Sequence, residues 1–108
     1  MADTYKYVQG DTGPQIQAVI TSADGAAADL TGGTVTLHFR AAGTTTVLFS
    51  RALTLSDATN GKAVLQFATG DLNVAAGNYE GELETVFASG LRETRYEILK
   101  FKIREDFA

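Results

Sequence analysis

The 108-residue chain contains no cysteine and no tryptophan, and only one proline, one methionine and one histidine. Without cysteine there is no disulfide framework, no thiolate nucleophile and no Cys-ligated zinc. With a single imidazole, any metal site would have to be assembled from carboxylates, so no metal or cofactor is expected. Basic residues are also scarce: 9 Lys and Arg stand against 13 Asp and Glu, for a net charge of -4 and a pI near 4.8. That balance argues against a basic stripe able to neutralise phosphates, and so against nucleic acid or an anionic membrane surface as partner. Long apolar runs are missing too. No stretch approaches the roughly 18 residues of a membrane span, and residues 1–10 lack the apolar segment of a signal peptide.

What the chain does have is alternation. Leu, Ile, Val and Phe make up 27 positions, a quarter of the sequence, enough for one self-standing core, and no repeat, linker or low-complexity tract divides residues 1–108. Over residues 34–40, Val35, Leu37 and Phe39 alternate with Thr34, Thr36, His38 and Arg40, which predicts a strand buried on one face. Residues 78–87 repeat the pattern, with Tyr79, Gly81, Leu83, Thr85 and Phe87 inward and Glu80, Glu82 and Glu84 outward. A third strong run, residues 95–104, puts Leu99, Phe101 and Ile103 on one side. Weaker alternation over 5–8, 15–21, 46–55 and 62–67 brings the total to about seven strands.

Turn-forming residues separate these runs at Gly10 to Pro14, Asp24-Gly25, Thr31-Gly32-Gly33, Ala41 to Gly43, Asp57 to Gly61 and Ser89-Gly90. Only residues 68–77 have any helical character, amounting to a turn or two. The fold class expected is therefore all-β, an antiparallel two-layer β-sandwich of immunoglobulin-like size, with a small barrel of the OB type as the alternative. Tyr79, just after Gly77 and Asn78 at the start of the penultimate strand, stands where such sandwiches place a tyrosine whose hydroxyl bonds back to the preceding loop.

Little in the sequence carries catalytic chemistry. His38 lies on the outward phase of its strand with no nucleophile or second imidazole evident beside it. Asp24, Asp29, Asp57 and Asp71 fall in turns, where a carboxylate usually bonds its own backbone; a calcium site built from such loops is the alternative, without the twelve-residue ligand loop. Gly10 and Gly13 before Pro14 are not followed by the Lys-Ser/Thr or the helix of a phosphate loop. Glu80, Glu82 and Glu84 form a row that is either a solvated face or an acidic ridge for a cationic partner. Apolar residues in the outward phase form a candidate interface: Leu48, Val86, Tyr96 and Ile98, with Tyr5 and Tyr7 able to fold across the same face. Either a β-bulge shifts the register there or something covers that surface.

The order of four pieces resembles a known family. These are Asp24-Gly25, Asp29-Leu30-Thr31-Gly32 leading into Thr34-Val35-Thr36-Leu37, Asp57-Ala58-Thr59-Asn60-Gly61-Lys62, and Ala76-Gly77-Asn78-Tyr79-Glu80. Together they look like the immunoglobulin-like N-terminal domain of tailed-phage baseplate upper proteins, over roughly residues 10–104. The resemblance implies a non-enzymatic virion structural protein, made in the host cytoplasm, whose partners are other virion proteins and copies of itself. The family's long C-terminal extension is not present in this sequence, which leaves a tail, baseplate or neck component, or a capsid decoration protein. A carbohydrate-binding sandwich module and a small hydrolase are the readings from other classes.

Overall fold

A computed structural model describes residues 4–21, 25–94 and 99–107. Among these, the alternating segments form nine strands: β1 (Thr4–Val8), β2 (Gln15–Val19), β3 (Thr34–Ala41), β4 (Val47–Ala52), β5 (Thr54–Asp57), β6 (Lys62–Gln66), β7 (Gly77–Val86), β8 (Arg92–Thr94) and β9 (Leu99–Arg104). A six-stranded sheet runs β1-β9-β7-β3-β4, with β8 also on β7, and a three-stranded sheet runs β2-β6-β5. Neighbours are antiparallel except β1, which lies parallel to β9 with Tyr5 beside Phe101 and Tyr7 beside Ile103. The two separate sheets make this an immunoglobulin-like sandwich rather than a closed barrel.

One of the seven runs is divided, and β8 (Arg92–Thr94) precedes the run expected over 95–104, which is why there are nine strands. The run over 46–55 keeps its period-two pattern but changes sheets: Val47–Ala52 pairs with β3, whereas Thr54–Asp57 pairs with β6. Leu53 is the corner. Its side chain is buried, and its amide donates to the Val35 carbonyl at 2.8 Å, which keeps the crossing hydrogen-bonded. At the other end of the fold, Glu84 faces Thr94 while Gly81 faces Leu99, so three steps along β7 correspond to five along its partner.

The core lies between the sheets and is built from the predicted inward positions. Val35, Leu37 and Phe39 of β3, Tyr79 and Leu83 of β7, and Phe101 and Ile103 of β9 meet Ile16, Ala63, Leu65 and Phe67 from the smaller sheet side. Phe39 is the hub: its ring centre is 4.7 Å from Phe49, 5.2 Å from Tyr79 and 5.1 Å from Phe101. Gly81 gives those rings room, since a Cβ there would sit 2.8 Å from both Leu37 Cδ1 and Phe101 Cε2. Gly61 serves a different end. With φ at +72° it closes a single 3-10 turn, Ala58–Asn60, and a Cβ would overlap the Ile20 carbonyl.

Residues 68–77 hold no helix: 68–73 form consecutive turns, in which Asp71 N–H donates to Ala68 O at 3.0 Å and Asn73 N–H to Gly70 O at 3.1 Å, and Gly77 already opens β7. Gly70 with φ at +92° and two short polar side chains favour turns over helical propagation. The segment is anchored by Leu72, which is fully buried, and by Tyr79, whose hydroxyl donates to Ala75 O at 2.5 Å. That bond is the back-bonding tyrosine expected at the start of this strand.

Candidate interaction surface

The outer face of the six-stranded sheet carries most of the chain's organised charge, and the register fixes which residues share it. β7 contributes Glu80, Glu82, Glu84 and Val86; β3 contributes Thr34, Thr36, His38 and Arg40. Arg40 lies opposite Glu80 and its Nε donates to Oε1 at 3.2 Å. Glu84 receives Arg92 at 3.4 Å and His38 Nε2 at 3.5 Å. Among the described residues, Glu82 alone in the row has no ion pair. The carboxylate row is thus largely neutralised from its own flanks, through partly exposed surface pairs each worth only a few tenths to about 1 kcal/mol.

His38 does have a hydroxyl beside it, contrary to the sequence expectation. Its Nδ1 is 2.7 Å from Ser50 Oγ, because His38 and Ser50 are cross-strand partners on β3 and β4. The strand pairing, not any local spacing, creates this Ser-His-Glu line. The depression next to it, lined by His38, Arg40, Val47, Glu80, Gly81 and Glu82, measures about 50 Å³, room for a water or two.

The candidate interface residues separate into distinct places. Leu48 is half exposed because it occupies a β-bulge: Phe39 faces Phe49 and Arg40 faces Val47, leaving Leu48 as the extra residue. Val86 is partly buried on the outward phase opposite Thr34 and Arg92. Tyr5 and Tyr7 do not fold across the outer face. The parallel register aims them to the core side, where Tyr5 stacks on Phe101 at 5.4 Å and Tyr7 meets Phe67 edge-on at 5.5 Å. Burial, and then the neighbouring Tyr5, push the Tyr7 hydroxyl pKa up to about 12. Tyr96 and Ile98 lie outside the described residues.

The turn carboxylates behave as turn formers. Asp29 accepts from the Thr31 hydroxyl at 2.6 Å and the Thr31 amide at 3.0 Å, in that order the causes that hold its pKa below the usual carboxylate value. Asp57 accepts from Asn60 Nδ2 at 2.9 Å. Asp71 goes further: buried, it accepts the Ala68 amide at 2.8 Å and a two-pronged ion pair from Arg51, tying β4 to the turn after β6. Asp24 lies outside the described residues. Among the described residues no three His, Asp or Glu side chains converge as metal ligands.

A basic cluster arises from strand pairing alone. Pairing β1 with β9 sets Lys6 directly opposite Lys102 and Val8 opposite Arg104, with Lys100 one step away opposite Thr4. Lys6, Lys102 and Arg104 are exposed and make no ion pair among the described residues; with Tyr7 and Val8 they line a groove of about 290 Å³. A short basic strip therefore exists on a chain whose composition argues against one. The alternation Leu99-Lys100-Phe101-Lys102-Ile103-Arg104 gave half of it; the parallel partner strand, more than ninety positions earlier in the chain, gave no signal.

No protein-family model and no curated protein matches the chain. Among solved structures, CopC from Methylosinus trichosporium OB3b is similar in fold, with a TM-score of 0.54 over 95% of this chain and 86% of CopC at 10% sequence identity. That likeness supports the sandwich architecture and concerns the fold alone.

Proposed function

We propose that the chain is a structural protein of a bacteriophage virion, a tail, baseplate or neck component that acts by protein–protein contact. The observation that carries the reading is the ordered set of pieces resembling the baseplate upper protein domain, three of which do a definite job in the sandwich. Asp29 pins the turn before β3. Residues 57–62 make the 3-10 turn and enter β6. Tyr79 locks the loop that opens β7. The charged outer face and the edges at β1 and β4, which are unpaired among the described residues, supply surface for neighbours.

Mass spectrometry of purified virions, with copy number set against the major capsid protein, tests this. Multiples of three or six support a tail location and hundreds of copies a capsid decoration protein; absence from the particle contradicts the reading. The Ser50-His38-Glu84 line favours a hydrolase as second reading, with Ser50 as nucleophile and His38 as base. Against it, Ser50 meets Nδ1 while the carboxylate on Nε2 is shared with Arg92. Ester hydrolysis that vanishes in Ser50→Ala would establish it; the contact reading predicts none that depends on Ser50.

A further inference from the structure

We infer that the β1–β9 groove docks an acidic, extended segment of a partner polypeptide, which adds as a strand along the free edge of β1. The inference rests on the contact reading above and names the partner's chemistry. Lys6 and Lys102 are cross-strand partners of like charge, an arrangement that costs stability unless an anion lies between or beside them. Arg104 extends the row by one position. Its guanidinium donates to the Glu105 carbonyl at 2.9 Å and lies 4.8 Å from the Phe107 ring, contacts that hold the charge in place without neutralising it.

The groove measures about 290 Å³ and has Tyr7 and Val8 along it. That is below the size of a typical small-molecule pocket, yet enough for one or two carboxylate side chains. On its outer side β1 pairs with no strand among the described residues, so its backbone presents the unpaired donors and acceptors that strand addition uses. A peptide with carboxylates at every second residue matches both features: its main chain continues the sheet while alternate side chains reach the cations. A nucleic acid fits less well, since the row is three cations long on a chain of net charge -4.

Fluorescence anisotropy with a labelled peptide of alternating Glu and Ser tests the inference. Saturable binding that weakens with added salt is expected, with Lys6→Glu and Lys102→Glu each reducing affinity by about tenfold. Lys62→Glu, the same charge change on β6, should leave affinity unchanged, and thermal melts establish that all three variants are folded. No binding to the wild-type chain, equal loss in Lys62→Glu, or displacement of the peptide by single-stranded DNA at lower concentration than by unlabelled peptide would each overturn it. Virion composition separates the two readings: peptide binding by a chain absent from particles upholds the groove and removes the phage role, whereas a particle-bound chain that ignores the peptide does the opposite.

Discussion

Glu80, Glu82 and Glu84 on β7, and Lys6, Lys102 and Arg104 on β1 and β9, are two rows of like charge on one sheet face, and the fold treats them differently. Arg40, Arg92 and His38 flank the acidic row and pair with it. The basic row makes no ion pair among the described residues, although Glu80 stands across from the neighbouring Lys100, and two of its members face each other. The row that is conspicuous in sequence, three glutamates at period two, is therefore the one largely satisfied within the chain, at Glu80 and Glu84. The row dispersed in sequence is the one left open. Clustered like charge marks a partner site only when the fold leaves it unbalanced.

That contrast between paired and open charge can be broken or sharpened by substitution. The largest effect is expected at the most enclosed pair: Asp71→Ala strands Arg51 and the Ala68 amide and should cost about 3 kcal/mol in urea unfolding. Next comes alkaline pH. The folded chain holds the Tyr7 proton to about 12, against 10.0 for an unperturbed tyrosine. Its contribution is whole below pH 10 and lost as pH rises toward 12, so unfolding midpoints should fall across that window and fall less in Tyr7→Phe. Glu84→Gln, which releases an exposed network, should cost only about 0.5 kcal/mol. Smallest is Lys102→Gln, which relieves the like-charge pair with Lys6 and should stabilise by a few tenths of a kcal/mol. A loss there equal to that of Glu84→Gln would make the basic row structural and dissolve the contrast.

Much of the fold was legible because its signals are local. Alternation over Val35, Leu37 and Phe39, and over Tyr79, Leu83 and Thr85, identified the buried faces of β3 and β7, and all six residues are buried. Tyr79 after Gly77-Asn78 identified the corner, and the aspartates identified turns. What escaped depends on pairing between distant segments. The change of sheet at Leu53 leaves the period intact, so nothing in residues 46–55 signals it. A bulge is one of the two readings that the outward phase of Leu48 allows, and only the β3 register decides in its favour. Tyr5 and Tyr7 do not take the outer face open to them in sequence, because their orientation is set by Phe101 and Ile103 across a parallel pair. Ser50 reached His38, and Lys6 reached Lys102, by the same long-range pairing.

On the proposed virion role, the most direct test compares the two rows in the assembled particle. Phage lacking this chain would be complemented with wild type, Lys102→Glu or Glu82→Lys, and the chain in purified virions quantified. The account predicts near wild-type incorporation for Glu82→Lys and severe loss for Lys102→Glu with both variants folded. Loss confined to Glu82→Lys, or equal incorporation of all three, would contradict it.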